Sequence, residues 1–188
     1  LHYLVRGLTK PGDGIIIQTP VYHPFFDVVE KHGRRLIRNP LRFDGRRYEM
    51  DLDDLGRRAA GARMIILCSP HNPVGRVWTR EELEGLGRIA VERDLLVVSD
   101  EIHHDLVYPG HVHQVFAALD PALAARTVTC VAPSKTFNIP GLSTAAVVAS
   151  NPALLKAFDD EAERCGFDLG QVFGIVGFEA AYRHGQAW

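Results

Sequence analysis

The chain has 188 residues, 46% hydrophobic and 23% charged, enough for one sizeable globular domain or the greater part of a larger one. Its 21 Lys and Arg against 23 Asp and Glu leave a formal charge of −2, which gives no electrostatic case for nucleic acid or an anionic membrane as partner. No apolar run approaches the roughly 20 residues that span a bilayer, and residues 1–10 (LHYLVRGLTK) are too polar for a secretory leader.

Residues 1–9 read as the last turns of a helix, which Lys10-Pro11-Gly12-Asp13-Gly14 breaks. Residues 14–19 (GIIIQT) form a short apolar run of the kind buried on both faces of a parallel sheet. After Pro20 come VYHPFF, a helix through 27–32 that ends at Gly33, and a strand over 34–39. Met50-Asp51 opens a helix to about residue 60, with Asp51 as its N-cap. Residues 63–68 (RMIILC) are the next strand and feed SPHNPVGR. Thr79 with Glu82 makes a capping-box pattern, and the helix it opens runs to about Arg93 with Leu83, Leu86, Ile89 and Ala90 on one face. Strands follow over 95–99, 127–131 and 144–149, and helices over 151–164 and 171–182. This alternation implies an α/β fold, a three-layer sandwich whose mostly parallel sheet carries helices on both faces. Ligands of such sheets bind beyond the carboxyl ends of the strands. Here those ends carry, in turn, Tyr22, Asn72, Asp100 and Lys135.

Lys135 sits at the centre of APSKTFN, directly after an apolar strand. Burial there would lower its pKa and make it an amine nucleophile able to form a Schiff base, although a solvated loop position is the commoner fate of a lysine. Asp100 follows the 95–99 run at once, where a carboxylate is costly unless a cation meets it. It either caps a helix or pairs with an arginine, or it is the counter-ion that keeps a heteroaromatic ring nitrogen protonated, so that the ring acts as an electron sink. Asn72-Pro73-Val74-Gly75 is good turn chemistry by itself, and the Asn72 amide is also a donor for a ligand oxygen. Tyr22 either packs or offers a flat face for stacking on a planar cofactor. His103, His104, His111 and His113 invite a metal reading, but Tyr108-Pro109-Gly110 reads as an exposed loop with no pre-set geometry, so no metal is expected. The arginine pairs at 34–35, 46–47 and 57–58 read as solvated faces. Cys68, Cys130 and Cys165 are odd in number and far apart, which suits a reducing cytoplasm, and the two in apolar strand-like runs read as small core residues.

In this order and spacing, SPHNPVGR, SDEIH and APSKTFNIPG resemble the fold-type I pyridoxal-phosphate enzymes of the class I/II aminotransferase group. VYHPFF, DEIH and SKTFNI are most similar to its cystathionine β-lyase (C–S lyase) branch, and the resemblance runs from about residue 1 to residue 188. It implies that residues 1–188 are a cofactor-binding large domain, with the phosphate loop upstream and a small C-terminal domain beyond them. Alone, such a piece is expected to bind cofactor weakly and turn over poorly. The resemblance implies pyridoxal 5'-phosphate as cofactor, with Lys135 as its covalent anchor and proton-transfer base. Asp100 would pair with the pyridinium nitrogen, Asn72 bond the ring oxygen, Tyr22 stack on the ring and Ser134 help hold the phosphate. His103, three positions after Asp100, would join the cofactor shell where many aminotransferases carry a tyrosine. The arginine usual in the group eight positions after the lysine is Ser143 here. Losing that phosphate grip weakens the transaminase reading and favours the lyase branch. The expected reaction is β-elimination from a cystathionine-like amino acid to thiol, pyruvate and ammonia, in a homodimer. The alternatives are an aminotransferase and a non-catalytic pyridoxal-phosphate-binding regulatory domain.

Overall fold

Short runs of Ile, Val and Leu, too brief for helices, pair instead as strands. The computed structural model describes residues 1–167 and 171–188. Its strands are β1 (Gly14–Thr19), β2 (Arg35–Pro40), β3 (Arg42–Phe43), β4 (Tyr48–Glu49), β5 (Ala62–Cys68), β6 (Leu96–Asp100), β7 (Thr127–Val131) and β8 (Ala146–Val148). β3 and β4 form a separate hairpin, and the others make one sheet in the order β2-β1-β5-β6-β7-β8. Every pairing in that sheet is parallel except β7 with β8. β8 is shorter than the 144–149 run predicted for it. It lies at the sheet edge with β7 as its one neighbour, and Val148 stays 55% exposed.

The helices are α1 (His2–Leu8), α2 (Pro24–Glu30), α3 (Leu52–Arg58), α4 (Arg80–Glu92), α5 (Pro121–Ala124), α6 (Pro133–Thr136), α7 (Pro152–Arg164) and α8 (Val172–His184). Strand alternation assigns the faces. Ile16, Ile65, Leu67 and Val97 join Leu55 of α3, Leu83, Leu86 and Ala90 of α4 and Leu123 of α5 in one core. Ile15, Ile17, Met64, Ile66, Val98 and Val128 join Leu4 and Val5 of α1, Phe25, Val28 and Val29 of α2 and Leu154 of α7 in the other. The three-layer sandwich is therefore as expected. Each fully buried Leu, Ile, Val or Phe contributes on the order of 1.5–3 kcal/mol to it.

The predicted caps form. Thr79 Oγ1 accepts the Glu82 N–H at 3.2 Å while Glu82 Oε2 accepts the Thr79 N–H at 2.9 Å. Asp51 accepts the Asp54 N–H at 2.9 Å, and Asn151 accepts that of Ala153 at 3.0 Å. Arg34 departs from the solvated reading: its Nε donates to Thr9 Oγ1 at 2.9 Å and its Nη2 to the Thr9 carbonyl at 2.6 Å, bracing the end of α1. Arg47 with Glu49 and Arg57 with Asp54 are surface pairs, worth about 0–1 kcal/mol each. Among the described residues no helix is long and apolar enough to cross a membrane.

Candidate functional site

β1, β5, β6 and β7 are parallel neighbours, so their carboxyl ends share one edge of the sheet. Tyr22 lies just past β1 and its N–H donates to the Asn72 carbonyl at 2.9 Å, which ties the two loops together. The Tyr22 ring packs edge-on against Phe25, with centroids 6.4 Å apart, and remains 48% exposed. The Asn72 loop is threaded by Cys68. That thiol donates to the Pro70 carbonyl and accepts the Asn72 N–H, each at 3.4 Å, and burial pushes it up to about 12, so it stays protonated. His71 adds a second tie. Its Nε2 lies 2.9 Å from the Pro20 carbonyl and therefore carries the proton, and burial pushes the ring down to about 4.

Asp100, the last residue of β6, and Glu101, the residue after it, show what alternation does to two adjacent carboxylates. Glu101 turns to the Phe116 side, where it accepts the Ser99 hydroxyl at 2.8 Å, the Phe116 N–H at 3.1 Å and His113 Nε2 at 2.7 Å. Asp100 turns to the opposite face, in register with Cys68 on β5 and Cys130 on β7. It is only 8% exposed and accepts one long backbone N–H, from Ile102 at 3.4 Å. Among the described residues no cation pairs with it, and burial pushes its carboxyl from 3.8 up to about 6.

Lys135 stands on α6, which leaves β7 after a single residue. Lys135 is exposed, the solvated position that is the commoner fate of a lysine, and is not buried against the strand end. Burial raises the Asp100 carboxyl and lowers the half-buried His103 ring, and the Lys135 charge offsets part of the first shift and adds to the second. Ser134, half-buried, precedes Lys135 on the same turn, where its carbonyl accepts the Ile139 N–H at 3.2 Å. His103 is half-buried, and with Asn72 it lines a cavity of about 470 Å³ that also meets His71, Arg76 and His111. The edge thus gathers Tyr22, Asn72, Asp100, His103, Ser134 and Lys135.

Sequence reasoning missed the buried partners of this edge. His113, assigned to an exposed loop, is buried against Glu101. The signal for it was the strand period, which sends Glu101 into a core where a carboxylate needs donors. Chemically, the edge offers a primary amine, a flat aromatic face, an amide and a buried carboxylate with no cation of its own. That set fits a planar ligand with an electrophilic carbonyl and a protonated ring nitrogen.

The sequence profile described as aminotransferase class I and II matches residues 1–168. The chain belongs to that family. It is 42% identical over 190 residues to the cystathionine beta-lyase PatB of Bacillus subtilis (strain 168), covering 100% of this chain and 49% of that relative. Cystalysin from Treponema denticola, whose structure contains a pyridoxal 5'-phosphate cofactor, superimposes with a TM-score of 0.97 at 38% identity, over 100% of this chain and 48% of that one. Kynurenine–oxoglutarate transaminase 3 of Mus musculus is 36% identical over 146 residues, 73% of this chain and 32% of its own length. The chain spans about half the length of the curated cystathionine beta-lyases it matches.

Proposed function

We propose that these residues are the cofactor-binding domain of a pyridoxal 5'-phosphate-dependent C–S β-lyase that acts on cystathionine-like amino acids and releases thiol, pyruvate and ammonia. The observation that carries the reading is Asp100: a buried carboxylate without a cation, one strand away from the turn that bears Lys135. The likeness to PatB and to cystalysin supports it from outside.

When bound, the cofactor supplies an aldehyde that takes the substrate amino group and a protonated ring that draws electrons from the substrate α-carbon. Lys135 Nζ would be the amine that holds the cofactor and the base that takes the substrate α-proton. The Asp100 carboxylate holds the proton on the ring nitrogen, and its burial between two protonated thiols strengthens that attraction. The Asn72 amide would donate to the ring oxygen, with His103 in the same shell, the Tyr22 ring would stack on the cofactor, and the Ser134 hydroxyl would help hold its phosphate. The reading includes a homodimer, supported by the apolar face of α8, where Val172, Phe173, Ile175 and Val176 are each more than half exposed. It also includes a cytoplasmic setting, supported by three free cysteines.

An aminotransferase built on the same Lys135 is the second reading. The likeness to the mouse transaminase favours it, and Ser143 in place of the usual arginine weighs against it. One experiment tests both. Pyridoxal phosphate is added, the adduct is fixed with borohydride and the peptides are mapped; the label is expected on Lys135, and a label elsewhere overturns the site. Pyruvate and thiol released from cystathionine without a keto acid then indicate the lyase, whereas a keto-acid requirement indicates the transferase.

A further inference from the structure

We propose that Asp105 is a positioning residue for Lys135, acting through Thr136; this rests on the reading of Lys135 as the cofactor-anchoring amine. α6 has four residues, too few to hold its own geometry. An exposed lysine on a flexible stem therefore takes its direction from whatever fixes the turn beneath it. Two contacts fix the residue that follows it. Thr136 Oγ1 donates to Asp105 Oδ2 at 2.8 Å, and the Thr136 carbonyl accepts Trp188 Nε1–H at 2.9 Å.

The next residue is braced as well. The Phe137 ring meets Tyr182 edge-on at 5.1 Å, and Gly185 lies so near that a Cβ there would be 2.5 Å from Phe137 Cε1. Tyr182 also reaches back to Asp105, its hydroxyl donating to Oδ2 at 3.5 Å. Burial, then the Asp105 charge, pushes that phenol upward, so it stays a donor.

Asp105 is itself tied to the strand end that carries Asp100. His104 Nδ1 donates to the Glu101 carbonyl at 2.8 Å, and its Nε2, which donates to Asp105 when the ring carries both protons, lies 3.3 Å from Oδ1. A continuous set of polar contacts therefore runs from the end of β6 to the residue beside Lys135. The Asp105 carboxylate sets the span between the amine and the carboxylate at the two ends of the proposed cofactor ring. An ordinary surface hydrogen bond would stabilise the loop and leave that span unchanged.

The test uses Asp105→Ala, Asp105→Asn, Thr136→Val, Thr136→Ser and the Asp105→Ala/Thr136→Val pair. Three quantities are read: amide exchange of residues 132–138 without cofactor, the rate at which borohydride-fixable pyridoxal phosphate arrives on Lys135, and the melting temperature. Asp105→Ala and Thr136→Val are each expected to speed exchange and to slow labelling about tenfold, the worth of one hydrogen bond to a charged group. The pair is expected to label no slower than either single variant, since both remove the same bond. Asp105→Asn and Thr136→Ser, which keep an acceptor and a donor in place, are expected to restore labelling. Wild-type labelling in Asp105→Ala, effects that multiply in the pair, or labelling losses that merely track the melting temperature would each overturn the positioning role. A wild-type protein that carries the label away from Lys135 overturns the site reading, and the positioning role with it. Unchanged exchange in Asp105→Ala overturns the clamp alone.

Discussion

Replacing Asp100 with Asn is expected to stabilise the cofactor-free protein while removing its hold on the cofactor ring. The wild-type carboxyl is displaced upward, from 3.8 to about 6, because burial disfavours the charged form. Between those values the folded state binds more protons than the unfolded state, so stability falls as pH rises through the window. Above about pH 7 the whole displacement counts against folding, about 3 kcal/mol at roughly 1.4 kcal/mol per pH unit. At pH 4.5 only about 1 kcal/mol of it is felt, and below about pH 3 essentially none. Asn carries no charge and its amide oxygen can still accept the Ile102 N–H. Urea titrations of the two proteins should therefore show the variant ahead by up to about 3 kcal/mol at pH 8 and by about 1 kcal/mol at pH 4.5. At pH 8 the melting temperature should rise by roughly 6–12 °C for a chain of this size. Adding pyridoxal phosphate should narrow or reverse the gap, because a ring cation rewards the wild-type carboxylate and not the amide. Equal stabilities at pH 8, or a gap independent of pH, would refute the account of Asp100 as an unmatched buried charge.

Glu101→Ala strips the acceptor from the Ser99 hydroxyl, the Phe116 N–H and His113, and should cost about 3–5 kcal/mol in urea titrations at pH 7, with Glu101→Gln milder. His71 is pushed down to about 4, so its ring binds protons less readily folded than unfolded, and the wild type should lose up to about 3 kcal/mol as pH falls from 6.5 to 4. His71→Leu gives up the Pro20 hydrogen bond and starts less stable, but it should lose less over the same interval; parallel pH profiles would contradict this. Gly174→Ala places a Cβ 1.9 Å from Thr144 Oγ1 and 2.9 Å from the Leu142 carbonyl, so α8 must shift off the 142–144 segment. A loss of about 1–3 kcal/mol is expected, with faster amide exchange along α8, and an unchanged melting temperature would show that the contact is soft.

What was legible in the sequence was whatever depends on period and neighbours. RMIILC alternates its side chains between two cores whatever lies around it, and the Thr79–Glu82 and Asp51 caps need only residues within one helical turn. That the strand ends carrying Tyr22, Asn72, Asp100 and Lys135 share one edge followed from parallel pairing, whereas their order along it is a finding of the structure. The β3–β4 hairpin had a signal that went unread: Asp44-Gly45, with Gly45 at φ 94°, between Phe43 and Tyr48, whose rings pack 4.8 Å apart. Other errors had no local signal. Whether Lys135 is buried depends on what covers a four-residue turn, and Arg34 is held by carbonyls and a hydroxyl at the far end of α1, 25 positions earlier. The strand period marks Glu101 as a buried acid in need of donors, but only the folded loop supplies His113 as one of them.

The sharpest contrast lies between two residues that composition treats as equivalent. Asp100 and Glu101 are adjacent carboxylates leaving one strand, and the two-residue period sends them to opposite faces. Glu101 receives a hydroxyl, a backbone N–H and an imidazole, which is how a folded chain normally accommodates a buried acid. Asp100 receives one long backbone contact and two neutral thiols, and stays destabilising near neutral pH. Nothing in packing requires that arrangement, since Asn would fit the same space without the charge. A ligand that brings its own positive charge to the strand end removes the penalty, and the turn carrying Lys135 is the neighbouring element from which such a ligand would be held. Burial that disfavours the Asp100 carboxylate, with no cation paired to it among the described residues, is what motivates the reading that something cationic binds there.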